Sequence, residues 1–373
     1  MNDCMLFLLK NTIIGFLYRQ IVKRVLFLLD PEKVHDRITT LGQKVGKCQA
    51  GRKVTAALFR YAHPSLEQEI RGIHFSNPVG LAAGFDKDAL LVDIMPAVGF
   101  GFVEVGSVTG EPCAGNPKPR LWRLQKSKSL VVYYGLKNAG CEVIANRLKG
   151  RTFEIPVGIS VAKTNCRKTV DEEAAIADYA KAYQAFEQIG QYYTINISCP
   201  NAFGGQPFTD KEKLARLLGR LSQLPKTKPI FVKLSPDLTN VQIDGILEVA
   251  ERFGIDGFIC TNLTKRRNAA IIEKNIPPHG GLSGRLVWED SNRLIEYIYR
   301  KAGQKFVIIG CGGIFSAEDA YRKIQLGASL VQLVTGMVFM GPQLIGRINY
   351  GLVRLLRRDG YRNISDAVGS LVS

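Results

Sequence analysis

Ile230-Phe231-Val232-Lys233-Leu234 and Gly257-Phe258-Ile259-Cys260-Thr261 are two short apolar or β-branched runs, separated by a segment, 241–253, long enough for a helix. Near-continuous apolar strands alternating with helices mark a parallel sheet covered on both faces. The same unit recurs in both directions. Further runs lie at 79–83, 102–108, 157–161, 193–197, 306–309 and 330–334, with helix-length segments at 171–189, 211–224, 290–301 and 317–326. Eight strands predict closure into a barrel. An open dinucleotide-binding sheet would carry Gly-x-Gly-x-x-Gly after its first strand, a spacing that Gly80 and Gly84 do not supply. The fold class expected is α/β, a (β/α)8 TIM barrel with an N-terminal helical extension. The 373 residues exceed the roughly 250 of a barrel. We divide them into a helical region, 1–63, and a barrel, 64–373, which opens on a hairpin pattern around Gly72.

Composition narrows the function. An apolar fraction of 46% with 22% charged residues is that of a folded globular chain. The net charge of +17 invites a nucleic-acid reading, but the basic residues are spread along the chain rather than blocked into an arm. Nucleic acid is not expected as a partner; an anionic substrate, a phosphorylated cofactor or an acidic membrane surface would use the same potential. The eight cysteines, Cys4, Cys48, Cys113, Cys141, Cys166, Cys199, Cys260 and Cys311, form no C-x-x-C pair and no disulfide framework. Reduced thiols in a cytoplasmic setting are expected for all but Cys199. The histidines, His35, His63, His74 and His279, form no cluster, so no metal is assigned.

The N-terminus raises a membrane question. Residues 4–9 and 12–18 are apolar, interrupted by Lys10 and Asn11; Arg19, Lys23 and Arg24 precede a third apolar run at 25–29. None of these runs alone reaches the ~20 residues of a span. A signal peptide is disfavoured, because the basic residues follow the apolar run and no small-residue cleavage site appears. One or two amphipathic helices in the interface are expected, with a weak single span, or packing on the barrel away from lipid, as alternatives. Through residue 63 there are 11 Lys and Arg against 4 Asp and Glu, a net of +7, which favours attachment to an anionic surface.

In such barrels the active site forms at the carboxyl ends of the strands. Unusual polar residues do fall there: Lys87, Ser107, Thr109, Lys163, Asn196 to Asn201, Lys233, Thr261 and Asn262. The last two strands end in Gly310-Cys311-Gly312-Gly313 and Thr335-Gly336, where a barrel typically binds phosphate; tight turns are the plainer alternative. Lys233 would point inward and need an anionic partner, either a reduced flavin's pyrimidine edge or a neighbouring carboxylate. Cys199, bracketed by Asn196 and Asn201, can serve as base or nucleophile where neighbouring charge favours the thiolate.

Asn77-Pro78-Val79-Gly80-Leu81-Ala82-Ala83-Gly84-Phe85-Asp86-Lys87 resembles the first-strand motif of dihydroorotate dehydrogenases. Gly115-Asn116-Pro117-Lys118-Pro119-Arg120-Leu121, Gly280-Gly281-Leu282-Ser283-Gly284-Arg285 and Gly327-Ala328-Ser329-Leu330-Val331-Gln332 are similar to that family too. Leu29-Asp30-Pro31-Glu32-Lys33-Val34-His35-Asp36 resembles the helical region that forms the quinone tunnel in its membrane-associated class. The resemblance implies FMN, oxidation of dihydroorotate to orotate in pyrimidine (UMP) biosynthesis, and a quinone acceptor. It also implies peripheral attachment at the cytoplasmic face. No iron–sulfur subunit is expected. Carried over by position, Ala83, Gly84, Phe85, Asp86, Lys87, Ser107, Ser160, Asn196, Lys233, Thr261, Gly284, Gly313, Val334 and Thr335 would line FMN. Lys87, Gly135, Leu136, Asn196, Asn201 and Asn262 would hold the substrate. Cys199 would take the C5 proton while a hydride leaves C6 for the flavin, with Lys233 stabilising the reduced flavin.

The sequence also departs from the family. The quinone class usually carries serine where Cys199 stands, and cysteine is typical of the soluble classes. A substrate asparagine ahead of Gly135 is Val132, threonines are Ala202 and Leu263, and a flavin-side asparagine is Ser160. Either Lys137 and Asn138 compensate, or the substrate is another dihydropyrimidine or the acceptor a soluble one.

Overall fold

The computed structural model describes residues 3–372, with side chains from Met5 onward. Eight parallel strands close a barrel in chain order: β1 (Val79–Leu81), β2 (Phe102–Val108), β3 (Val157–Val161), β4 (Tyr192–Asn196), β5 (Ile230–Leu234), β6 (Gly257–Cys260), β7 (Val307–Cys311) and β8 (Leu330–Leu333). Each expected run overlaps one of them. The helices Glu172–Ala185, Lys211–Leu221, Asn240–Arg252, Trp288–Ala302 and Ala317–Gln325 lie in or overlap the expected segments. Four of them start where a side chain caps a free backbone N–H: Asp171 on Ala174, Asp210 on Lys213, Thr239 on Gln242 and Ser316 on Asp319. Of the cysteines whose side chains are described, all are free thiols; Cys4 lies outside them.

Alternation along the strands sorts two environments. Val103, Val105, Tyr193, Ile195, Val232, Leu234, Val331 and Leu333 face the helices in the main core. Phe102, Tyr192, Phe231, Ile259, Ile309 and Leu330 fill the barrel's amino end, with Phe75 of the hairpin Gln68–Ile70/Ile73–Phe75 packed against them. These rings leave no space for neighbouring side chains. A Cβ at Gly80 would sit 2.3 Å from the Phe102 ring, and one at Gly158 would sit 2.0 Å from the Tyr192 ring.

Two residues further along each strand the interior turns polar. Glu104 is fully buried; its Oε2 accepts from Thr194 Oγ1 and Gln332 Nε2, each at 3.0 Å. Lys233 Nζ stands 3.6 Å from its Oε1. Lys233 thus points inward as its place on the strand predicts, and its carboxylate alternative is present.

The region before the barrel is helical. Asp3–Leu17, a π-helical turn at Tyr18–Val22 and Lys23–Leu28 follow one another without a break, so the interrupted apolar runs join. Met5–Leu28, 24 residues, is long and apolar enough to cross a membrane by length and composition. Asn11 does not break the helix because its Nδ2 donates to Phe7 O at 3.1 Å. Pro31–Lys47, capped by Asp30, and Gln49–Phe59 complete the region. Glu32 of the first of these forms a buried pair with Arg120, Oε1 to Nη2 2.7 Å, which ties the extension to the barrel mouth.

One element is absent from the sequence reading. Leu121–Leu124, Ser129–Val132 and Gly281–Gly284 form an antiparallel sheet, in which Gly281 pairs with Val132. Its strands are four residues long, and the third comes from a distant loop, so no local pattern announces it.

Candidate active site

The carboxyl ends of the strands, with this three-stranded sheet, enclose a cavity of about 1140 Å³ of free space, its open mouth included. Of the residues expected at a cofactor, Ala83, Gly84, Lys87, Ser107, Asn196, Lys233, Thr261, Gly284, Gly313, Val334 and Thr335 line it. So do Cys199 and all the residues expected at a substrate: Lys87, Gly135, Leu136, Asn196, Asn201 and Asn262.

Three expected residues stand behind the wall instead. Ser160 reaches the site through Ser107, Oγ to Oγ 2.7 Å. Asp86 is turned into the chain, where its carboxylate accepts from the N–H groups of Leu90 and Leu91, each at 2.8 Å. Burial pushes that carboxyl up to about 6. Phe85 packs edge-on against His35, ring centroids 5.1 Å apart, and its carbonyl lies 2.8 Å from His35 Nε2.

The asparagines are pre-oriented by one another. Asn196 Nδ2 donates to Ser107 Oγ at 2.7 Å, while its Oδ1 accepts from Ser198 and from Asn262 Nδ2. Asn201 Nδ2 donates to Val132 O at 2.8 Å, and Asn116 Nδ2 donates to Asn201 O at 3.0 Å. Asn165 donates to Asn116 Oδ1 and Gly135 O and accepts from Phe203 N, joining the substrate turn to the loop after Cys199. The turn itself needs left-handed backbone at two successive residues, Gly135 (φ 65°) and Leu136 (φ 60°). Such geometry is unusual for leucine and is held here by these contacts. Asn165 and Asn116 were not legible as site residues, because they act through other residues rather than at the cavity surface.

Electrostatics distinguish the titrating groups. The Lys87 ammonium lies 3.9 Å from the Tyr134 ring centroid. Burial, then the neighbouring Lys137, pull it down to about 8, against the opposing pull of Asp36, Asp88 and Glu32. The Cys199 thiol is pushed up to about 11 by burial, although a backbone hydrogen bond from Asn201 and the Lys163 charge favour the thiolate. Val132 and Leu263 line the cavity as apolar surface. Lys137 lines it too, whereas Asn138 is spent on Thr109 and Leu136.

Known proteins share this arrangement of chain. Residues 65–356 match the family model for dihydroorotate dehydrogenase. The dihydroorotate dehydrogenase (quinone) of Natronomonas pharaonis is 40% identical over 353 residues, covering 94% of this chain and 98% of the relative. That of Sulfurovum sp. is 38% identical over 356 residues, 94% and 97% of the two chains. Among solved structures, DHODH from Eimeria tenella in complex with ferulenol superimposes with a TM-score of 0.81 at 31% identity, covering 91% of this chain and 95% of that one. Its ligand-free form gives 0.83 at 31%, covering 92% and 100%. Barrel, cavity and near-full-length similarity agree, and this chain, an oxidoreductase, belongs to the dihydroorotate dehydrogenase family.

Proposed function

We propose that this chain oxidises dihydroorotate to orotate, a step of pyrimidine biosynthesis, with FMN as cofactor and a quinone as electron acceptor. The observation that carries this reading is the convergence of Cys199, Lys87, Lys233 and three asparagines on one cavity. The residues present fit a phosphorylated flavin. Gly312 (φ 123°) and Gly313 (φ 75°) hold a turn that side chains disfavour, beside Thr335 and Gly336. Lys233 keeps N–H groups for an electron-rich ring edge, because its Glu104 partner at 3.6 Å lies beyond hydrogen-bond reach. A bound flavin supplies the hydride acceptor.

The chain's own groups do the rest. Protonated Lys87 attracts the substrate carboxylate. Asn201, its Nδ2 held by Val132 O, turns Oδ1 free to accept an N–H, and Asn196 keeps a second amide hydrogen for a ring carbonyl, while Asn262 Nδ2 spends both of its hydrogens on Asn196 Oδ1 and Ser198 Oγ. Cys199 takes the proton at Sγ. Leu130, Pro200 and Leu263 exclude water from the cavity wall.

Residues 1–63 serve in this reading as the membrane-associating and quinone-access region, and 64–373 as the FMN-binding barrel. Exposed Leu6, Leu9, Ile13, Phe16, Ile21 and Val25 support contact with a membrane surface, which the proposal places at the cytoplasmic face. An apolar cluster of Leu130, Phe315 and Phe339, with Phe27 and Val132 packed on it, supports a quinone route from that helix to the cavity. No iron–sulfur subunit and no nucleic acid are needed.

Anaerobic titration tests the reading. Purified yellow protein should bleach on adding dihydroorotate and recover colour with a quinone; bound flavin that does not bleach defeats the substrate assignment. Apolar Val132 and Leu263 favour a second reading, another dihydropyrimidine or a soluble acceptor. Competition among orotate, uracil and thymine separates the substrates, since tight binding of orotate alone rules out another dihydropyrimidine, and offering quinone, fumarate or NAD to the reduced enzyme separates the acceptors.

A further inference from the structure

Cys199 borders two spaces. One is the main cavity; the other is a small space behind it, with room for about one water molecule, bordered also by Lys163, Tyr179, Asn196 and Ala202. Lys163 sits in the loop after β3 and is 4% exposed. Its Nζ donates to Thr169 O at 3.0 Å and to Phe203 O at 2.6 Å. Both acceptors are neutral carbonyls, and an ammonium has three N–H donors. The third remains for the space that it shares with Cys199. Among the described residues no carboxylate pairs with it at ion-pair distance, Asp178 acting only from farther off, and a buried cation so placed is expensive to keep unless an anion forms beside it.

We propose that Lys163 is a positioning residue for the base: its ammonium stabilises the Cys199 thiolate from behind and holds the loop after Cys199 closed through Phe203. The inference rests on the reading of Cys199 as base. In that step the substrate C–H bond breaks and its proton forms the S–H bond. The electron pair left on carbon becomes the new double bond as the hydride leaves for the flavin. The step begins from thiolate, whose negative charge the ammonium offsets. The groups facing Cys199 are Lys163 and Lys265, which favour the thiolate, and Cys113, which opposes it. Those facing Lys163 are Cys166, Cys199 and Asp178, which favour its charge against burial.

The test is alkylation of Cys199 in the flavin-loaded protein by iodoacetamide between pH 7 and 10, read by peptide mass so that the other thiols do not interfere. Lys163→Met should slow the reaction about tenfold near pH 7 to 8, one unit of thiol pKa, with the gap closing toward pH 10 as the buried Lys163, its pKa lowered by burial, loses its charge in the wild type. Lys163→Arg, which keeps the charge, should recover most of the rate. An unchanged rate in Lys163→Met overturns the electrostatic role. A faster one shows a latch alone and overturns it as well. If the methionine variant does not fold, Lys163→Gln carries the same comparison. The readout follows the thiol whether or not it is the base; loss of turnover in Cys199→Ala, with flavin retained, tests the base itself.

Discussion

Removing Glu32 should destabilise the protein far more than removing an exposed partner of similar geometry. The Glu32 side chain is 6% exposed and that of Arg120 5%; they meet through Nη2 at 2.7 Å and Nε at 3.1 Å to both oxygens. Lys118 and Lys137 add ammonium groups at 3.6 and 3.7 Å. Glu32→Ala leaves three cations clustered, one of them buried. Stranding one member of a buried pair costs about 3–5 kcal/mol. Arg120 Nη1 keeps the carbonyls of Ala114 and Asn116, so we expect the lower end, about 3 kcal/mol. Glu154→Ala, which removes an exposed partner 2.8 Å from Arg60, should cost about 0–1 kcal/mol. Urea unfolding of both variants measures the difference. Burial pushes the Glu32 carboxyl up, but the hydrogen bonds and charge of Arg120 outweigh it and hold it below its ordinary value. A lowered folded pKa means stability that is present above the ordinary carboxylate value, about 4.3, and lost as pH falls through the lowered one. The gap between Glu32→Ala and wild type should therefore narrow in acid. A cost of Glu32→Ala no larger than that of Glu154→Ala, or a gap independent of pH, would refute the reasoning.

Lys87 loses its charge as pH rises through about 8, so binding of a carboxylate ligand should weaken about tenfold per pH unit above that value, with proton uptake near it. Calorimetry in buffers of different ionisation enthalpy reads the uptake; binding flat to pH 10 would remove Lys87 from the anion site. Cys199→Ser should retain partial turnover with its pH optimum moved upward, because a hydroxyl ionises less readily than a thiol; an unshifted optimum would exclude residue 199 as the titrating base. Gly158→Ala puts a Cβ 2.0 Å from the Tyr192 ring, and overpacking of that kind costs about 1–3 kcal/mol or more. A thermal midpoint equal to wild type would show that the barrel's amino end is not packed as described. Deleting residues 1–28 should abolish co-sedimentation with anionic vesicles; unchanged sedimentation would place the membrane contact elsewhere.

Much of the protein was legible in the sequence because the determinants are local. Strand runs such as Ile230-Phe231-Val232-Lys233-Leu234 show burial on both faces in their composition, and their alternation with capped helices leaves few topologies. A strand position also states which way a side chain points, so Lys233, Asn196 and Thr261 were identified at the mouth from their place in the chain. Tertiary structure decided what depends on distant partners. Glu104 reads as a lone acid in an apolar strand until β4, β5 and β8 bring Thr194, Lys233 and Gln332 to it. Asp86 was expected at the cavity and instead caps the chain at Leu90 and Leu91, a choice made by side-chain rotation. The sheet that roofs the site joins Val132 to Gly281 across 149 residues of chain. Periodicity specifies burial and direction within an element; which elements meet, and which charge finds which partner, follows only from closing the barrel.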